Sequence, residues 1–319
     1  MKVFHSVADV PADFGPCAIT IGNFDGVHVG HLQIMRRVVK IARETGSKAV
    51  VLTFDPHPAR VLAPDRAPRL LMTIEQRLRA MEAEGIEAVL LIPFSLEFAK
   101  LPPEEFVELI LVGTLNACAV LVGEDFRFGY RQSGDIARLR DLGRRHGFDV
   151  EAVTGIERKH SRVSSTRIRQ LIHDGDVSSA CRLLGRPFAL EGNVVRGQGI
   201  GSRETVPTLN LAAENEILPP TGVYVTRTRD LESQREWKSI TNVGYRPTFD
   251  GESLTVETFL LDPLLNPPGE APRRIEVGFL AFVRPERRFE RPEALKQQIL
   301  RDIGVAGRFH RRLVKLRVG

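Results

Sequence analysis

Ten residues near the N-terminus, Gly22 to His31 (GNFDGVHVGH), combine the groups that phosphate chemistry needs. Glycines at 22, 26 and 30 permit a tight turn and let backbone approach a ligand closely. His28 and His31 are three apart, so on the first turn of a helix they share a face. A helix start at that point adds free N–H groups and a positive dipole end, which together form a ready anion site. Two imidazoles there can hydrogen-bond phosphate oxygens and stabilise charge on a pentavalent transition state. No protein nucleophile is required, because one substrate's phosphate can attack the α-phosphate of a nucleotide directly. The plainer reading is a Gly-rich turn with incidental histidines. Gly, Asp25 and both His gathered at a strand–helix junction favour the phosphate site.

The second half holds another set. Gly192 to Asn210 reads GNVVRGQGIGSRETVPTLN. A Gly-rich loop followed by Pro-Thr-x-Asn can present backbone N–H groups to phosphates. The Thr208 hydroxyl and the Asn210 carbonyl are hard oxygen ligands that suit Mg²⁺. Glu257 lies in a β-run, SLTVETFLL, whose alternation puts Val256 and Thr258 on one face and Glu257 on the other. A carboxylate there can accept a proton from an attacking hydroxyl; alternatively it is a surface Glu on a half-exposed strand.

These groups must be positioned by regular elements. Short apolar runs at Cys17–Gly22, Lys48–Phe54, Ile86–Ile92, Ala117–Val122 and Phe148–Val153 read as strands. Helical patterns alternate with them at His31–Thr45, Thr73–Glu84, Pro103–Val112 and Asp135–His146, and two short helices follow at Thr166–His173 and Val177–Leu184. This alternation predicts parallel βαβ units and a doubly wound sheet. From Phe188 the pattern changes to β-rich runs, Ala189–Val195, Gly222–Thr228, Lys238–Val243, Leu254–Leu261 and Ile275–Val283, with turn residues between them. That predicts an antiparallel sheet or barrel. A helix is expected over Pro292–Ile303, and the basic stretch RFHRRLVKLR beyond it reads as a solvated helix face or a frayed end. The domain boundary is expected near Gly185, giving domains at 1–185 and 186–319.

Composition narrows the classes. The chain has 319 residues, 42% hydrophobic and 27% charged, which is ordinary globular composition for about two domains. The net charge of +5 is compatible with anionic ligands such as nucleotides and does not demand nucleic acid. Aromatic residues are 7% and no stripe of interleaved aromatic and basic residues is present, so nucleic acid is not expected as a partner. Cys17, Cys118 and Cys181 are far apart and show no metal-ligand spacing. They read as small apolar residues in a reducing compartment. No secretory signal and no 18-residue apolar stretch is found, so a cytoplasmic protein without a membrane partner is expected. Oligomeric state is left open.

The Gly22–His31 run resembles the HxGH signature of the nucleotidylyltransferase superfamily. In its wider form it resembles the FMN adenylyltransferase module of bacterial bifunctional riboflavin kinase/FAD synthetases. Three further segments agree in order: Thr53–Pro58 (TFDPHP), Gly123–Gly129 (GEDFRFG) and Ser164–Arg169 (SSTRIR). The second half resembles the riboflavin kinase module. Pro207-Thr208-Leu209-Asn210 matches its PTAN motif, Gly222–Tyr224 its GVY, Asn242–Phe249 (NVGYRPTF) its N-x-G-x-x-P-T-F, and Glu257 to Asp262 its V-E-x-x-x-L-D.

The resemblance implies a Rossmann-like α/β domain followed by a Greek-key antiparallel β-barrel with a C-terminal helix. It implies ATP binding by Gly22, Phe24, Asp25, Gly26, His28, Gly30 and His31, with His28 and His31 catalytic, and with Ser164, Ser165, Thr166 and Arg167 around the leaving pyrophosphate. It implies flavin contacts from Phe54, Pro56, His57, Pro58, Asp125 and Phe128. In the kinase half it implies ATP contacts from Gly197, Gly199, Gly201, Arg203 and Pro207, a Mg²⁺ held by Thr208 and Asn210, and Glu257 as the base. Riboflavin, FMN and ATP would be the substrates and FAD the product. The chain departs from the usual motif in Ser202 for an Arg, Thr205 for a Gly, and a Pro-rich PLLNPPGEAP after Asp262. A nucleotidylyltransferase carrying a non-catalytic flavin-binding β domain is therefore a second reading.

Overall fold

The computed structural model describes residues 1–158, 161–195, 208–248, 251–261, 272–287, 289 and 291–318. The chain divides into two compact units, Met1–Ser165 and Thr166–Gly319. The contact boundary thus falls earlier than the composition shift at Gly185. The reason is visible in the helix over Val177–Leu184, whose Ser178 hydroxyl donates to the Leu280 carbonyl of the barrel at 2.9 Å.

The first unit is a six-stranded parallel sheet. Its strands are β1 (Lys2–Phe4), β2 (Cys17–Ile21), β3 (Lys48–Phe54), β4 (Ala88–Ile92), β5 (Ala117–Gly123) and β6 (Asp149–Val153). The order is β1-β4-β3-β2-β5-β6. Central strands β2 and β4 are buried along their whole length, as expected when helices cover both faces of a sheet. Helix α1 (Val29–Thr45) presents Leu32, Met35, Val38, Val39 and Ala42 to one face, and Gly46 ends it at φ +68°. On that face too is α3 (Ile74–Ala83), opened by a Thr73/Gln76 capping box. A short α2 (Pro58–Leu62) lies between them in sequence. The opposite face is covered by α4 (Pro103–Phe106) with the wider π turn Val107–Val112, and by α5 (Ile136–His146). The sequence predicts one continuous helix over Pro103–Val112; the structure instead splits it into α and π geometry. A two-stranded ribbon, β7 (Glu157–Arg158) and β8 (Ser161–Arg162), precedes α6 (Ser165–His173).

From β2 the chain winds outward through β3 and β4, then returns to place β5 on β2's other side. The carboxyl ends of β2 and β5 therefore form the topological switch point, the place where ligands bind in open α/β sheets. Gly22 follows β2 and Gly123 ends β5.

In the second unit, α7 (Val177–Leu184) leads into a closed antiparallel barrel. Its strands are β9 (Phe188–Val195), β10 (Leu209–Ala213), β11 (Gly222–Asp230), β12 (Glu236–Thr248), β13 (Gly251–Leu260) and β14 (Arg274–Arg284). They run in the order β10-β13-β12-β11-β14-β9, and β9 pairs with β10 to close the ring. The expected barrel is present, with β10 as a strand beyond those the sequence pattern predicts. Apolar Leu190, Leu211, Val256, Val277 and Phe279 are buried with a chain of hydroxyls. Thr228 meets Ser239, Ser239 meets Thr226, Thr226 meets Thr241, each at 2.8 Å, and Thr241 meets Thr258 at 2.9 Å. All five side chains are fully buried, so every hydroxyl needs these partners.

The C-terminal helix, α8 (Pro292–Val318), packs Ile303, Ala306 and Phe309 on Val223, Val225 and Ile240 of the barrel's outer face. It runs well past the expected end at Ile303. The basic stretch is therefore helical, and within it His310 is buried, its Nε2 3.0 Å from the Thr226 carbonyl. Burial pushes the His310 imidazole below the usual histidine range. Asp302 of α8 is also buried and takes a bidentate pair from Arg284, with the shortest N–O distance 2.7 Å.

Candidate functional site

In the first unit the Gly22–His31 loop leaves β2 and enters α1 as expected. His28 is the N-cap, and its Nδ1 accepts the His31 backbone N–H at 3.3 Å. A ring nitrogen that accepts carries no proton, so the neutral imidazole keeps its proton on Nε2, where it is a donor. The His28 and His31 rings stack with centroids 3.6 Å apart and planes 17° apart. Phe24 closes the other side of His31, edge-on at 5.2 Å. Gly30 makes this stack feasible: a Cβ there would lie 3.2 Å from the His28 ring. Gly22 does the same for Phe24, at 3.0 Å.

The loop backbone is strained. Phe24, Gly26 and Val27 all have positive φ, at 50°, 79° and 37°. A β-branched residue in that region is an outlier that persists only where its surroundings hold it, commonly at a functional site. Here the hold is Asp25, which is buried and whose carboxylate accepts the Leu71 N–H at 2.9 and 3.2 Å. The Ser165 hydroxyl donates to the Asp25 carbonyl at 2.8 Å, which brings the serine-rich segment to the same loop. Ser164 is half-buried beside it, while Thr166 and Arg167 are exposed in the first turn of α6.

The other first-unit candidates lie at the carboxyl end of the sheet. Phe54 ends β3, half-buried, with Phe94 edge-on at 5.5 Å and Phe98 at 5.9 Å. Pro56 is exposed, His57 caps α2 by accepting the Ala59 N–H at 3.1 Å, and Pro58 is its first residue. Asp125, after β5, is exposed and 3.4 Å from the Arg162 guanidinium. Phe128 is buried, stacked on Phe126 at 5.5 Å and tilted against Phe106 at 5.7 Å. A row of six phenylalanines thus runs from Phe94 to Phe126, of which the motifs marked only Phe54 and Phe128 as candidates.

Sequence reading passed over Arg77. It is 5% exposed, on α3, and donates to the Asn23 carbonyl at 2.8 Å and to the Phe54 carbonyl at 3.3 Å. Burial lowers its proton affinity, while Asp25 and Asp55 act the other way. No motif signals it, since an Arg at helical spacing looks like a solvated one.

In the second unit, strand register brings the kinase candidates together. Asn210 of β10 stands directly opposite Glu257 of β13, and Glu257 stands opposite Asn242 of β12. Directly paired residues point to the same face, with Cβ atoms about 5 Å apart. The row Asn210–Glu257–Asn242 therefore lies on the barrel's outer face, opposite the hydroxyl chain through Thr241 and Thr258. All three side chains are partly exposed, and Thr208 is exposed just before β10. These hydroxyl, amide and carboxylate oxygens are the hard donor set that suits Mg²⁺, and the Asn210–Glu257 pairing puts two of them side by side. Two residues past Asn242, Gly244 leaves room for Glu286: a Cβ on Gly244 would lie 2.2 Å from the Glu286 carboxylate. Asn242 as a member of the row, and Glu286 beside it, were not among the sequence candidates. The expected phosphate contacts Gly197, Gly199, Gly201, Arg203 and Pro207, and the departures Ser202 and Thr205, lie outside the described residues.

The fold defines the class: a Rossmann-like α/β unit with a histidine loop at its switch point, followed by a closed antiparallel β-barrel that carries the Asn210–Glu257–Asn242 row. Comparison with known proteins agrees in both halves. A family model described as FAD synthetase matches residues 10–167, and one described as riboflavin kinase matches residues 184–310. The bifunctional riboflavin kinase/FMN adenylyltransferase of Escherichia coli K12 is 34% identical, covering 95% of each chain. The protein of the same description from Pseudomonas fluorescens is 37% identical over 96% of this chain and 97% of its own. A solved structure from Streptococcus pneumoniae, described as a macrolide-efflux protein, is similar at 28% identity with a TM-score of 0.82 and covers 95% of this chain. Among the described residues no helix is long and apolar enough to cross a membrane. The chain belongs to the bifunctional riboflavin kinase/FMN adenylyltransferase family.

Proposed function

We propose that the protein makes FAD from riboflavin in two ATP-dependent steps, one in each unit. In the first step the ribityl 5′-hydroxyl attacks the γ-phosphorus of ATP. Glu257 accepts the hydroxyl proton as the new P–O bond forms and ADP leaves, giving FMN. Thr208 and Asn210 would hold the Mg²⁺ of Mg–ATP, which when bound supplies neutralisation of phosphate charge. Asn242, on Glu257's other side, orients the carboxylate.

In the second step a phosphate oxygen of FMN attacks the α-phosphorus of a second ATP, and pyrophosphate leaves. The His28 Nε2–H and His31 stabilise charge on the α-phosphate as it becomes pentavalent. Gly22, Gly26 and Gly30 let the backbone close on the nucleotide, and Ser164, Ser165, Thr166 and Arg167 receive the pyrophosphate. Phe54, Pro56, His57, Pro58, Asp125 and Phe128 form the flavin side. In this reading the adenylylating module spans 1–185 and the phosphorylating module 186–319, and both work in the cytoplasm.

The observation that carries the reading is the register pair Asn210–Glu257 in one unit, together with the capped, stacked His28–His31 pair in the other. One incubation tests it. Purified protein receives riboflavin, Mg²⁺ and ATP, and the flavins are separated over time. FMN should rise first and FAD follow. No FMN from riboflavin, with FAD formed once FMN is supplied, would select the reading in which the barrel binds flavin without turnover.

A further inference from the structure

Two loops of the adenylylating unit each offer Arg77 a carbonyl to bond and a carboxylate whose charge favours the cation. The histidine loop offers the Asn23 carbonyl and Asp25; the TFDPHP loop offers the Phe54 carbonyl and Asp55. The guanidinium is a rigid fork, so its two NH₂ groups can reach two acceptors in different directions at once. It does so from behind the site, on a helix whose N-terminal approach also holds Asp25 through the Leu71 N–H. The Thr53 hydroxyl adds a longer contact, 3.4 Å, to the same Asn23 carbonyl. Burying a cation is expensive unless its partners are well placed, and an aliphatic side chain could have filled this space.

We propose that Arg77 is a positioning residue that locks the nucleotide loop to the flavin loop, setting the distance between the two phosphates that must react. This rests on the assignment of those loops to ATP and FMN given above. In-line displacement requires the attacking oxygen about 3–3.5 Å from phosphorus, and a 1 Å misplacement costs about 100-fold in rate. Arg77 touches neither substrate; it acts through the backbone of Asn23 and Phe54.

The test uses the full chain with Arg77→Lys and Arg77→Met. FAD formation is measured with ATP and FMN varied separately, and riboflavin phosphorylation by the other unit is followed on the same preparations. An ammonium keeps the charge but makes a single-point contact, and the shorter bond to Asn23 is the one it can replace. Arg77→Lys should keep the KM for ATP within about threefold, raise that for FMN about tenfold, and lower kcat, on the scale set by misplacement. Arg77→Met should raise both KM values, with phosphorylation unchanged. If Arg77→Met loses its folded first unit, the Lys variant decides alone. Lys kinetics identical to wild type would overturn the proposal. So would a loss of kcat no larger than the loss of folded first unit measured by circular dichroism on the same preparation. If wild type itself makes no FAD from FMN and ATP, the site assignment falls and this proposal with it. FAD from wild type with an indifferent Arg77 removes only the proposal.

Discussion

His28 performs two tasks that substitution can separate. Its Nδ1 caps α1 by accepting the His31 N–H at 3.3 Å, and its ring, 6% exposed, stacks on His31 at 3.6 Å. In the proposed reaction its Nε2 proton is the one offered to phosphate. His28→Ala removes both. Loss of an N-cap costs about 1 kcal/mol, and loss of a stacked ring pair about 0.5–1.5 kcal/mol more. The unit should therefore lose about 2 kcal/mol, roughly 4–8 °C in unfolding midpoint for a domain of this size. Asn is among the best N-caps, so His28→Asn should recover about half of that stability. It should not recover catalysis. Removing one donor to a developing oxyanion costs about 100- to 1,000-fold in kcat, or ~2.7–4 kcal/mol. The assay is FAD formation from FMN and ATP beside thermal unfolding, with riboflavin phosphorylation on the same sample as the control. An Asn variant that is both stable and within threefold of wild type in FAD formation would refute the phosphate role. The histidine would then be a helix cap only.

Three other outcomes are expected. Glu257→Gln keeps the shape of the Asn210–Glu257–Asn242 row but cannot take a proton, so riboflavin phosphorylation should fall by about 100-fold or more; FAD formation from FMN should be untouched, and flavin chromatography reads both. Thr241→Val removes a link of the buried hydroxyl chain and leaves Thr226 and Thr258 each one hydroxyl contact short. It should destabilise the barrel by about 1–3 kcal/mol in denaturant titration. His310 is held neutral in the fold, with its proton affinity depressed by burial. The unfolded chain therefore takes the proton first as pH falls. The stability it contributes is complete above the ordinary histidine pKa and is lost as pH drops through the depressed folded value. His310→Gln keeps a donor for the Thr226 carbonyl without titrating, so its unfolding midpoint should fall less steeply than wild type on acidification from neutral pH. Parallel slopes would show that other groups dominate.

Much of the architecture was legible because it is written locally. The strands β2 to β5 carry nearly continuous apolar runs, and α1 and α5 end at glycines that adopt the left-handed conformation, Gly46 and Gly147. What escaped had no local signal. β1 is three residues long, too short for a period to register, and β10, LNLAA, lacks the unbroken apolar run that marks β4 at the same length. The switch from α to π geometry after Phe106 leaves the apolar pattern almost unchanged. Extension of α8 through His310 reads in sequence as a basic tail, because five of the ten residues in RFHRRLVKLR are Arg or Lys; only packing reveals that Phe309 and His310 face the barrel.

The same division holds for the two sites. Sequence by itself determined the residue types and their order: a histidine pair at a strand–helix junction, a Thr-x-Asn followed by a β-strand Glu, and two modules in one chain. Those are properties of short segments, and short segments carry them whole. Tertiary structure decided which of these groups meet. That Asn210 faces Glu257, and that Asn242 completes the row, depends on the register between strands distant in sequence, and a slip by one residue would turn Glu257 to the other face. That Arg77 joins two loops depends on α3 packing where its Arg77 reaches the segments that follow β2 and end β3. Register and packing are set by the summed burial of both cores rather than by any one segment, which is why no motif could announce them.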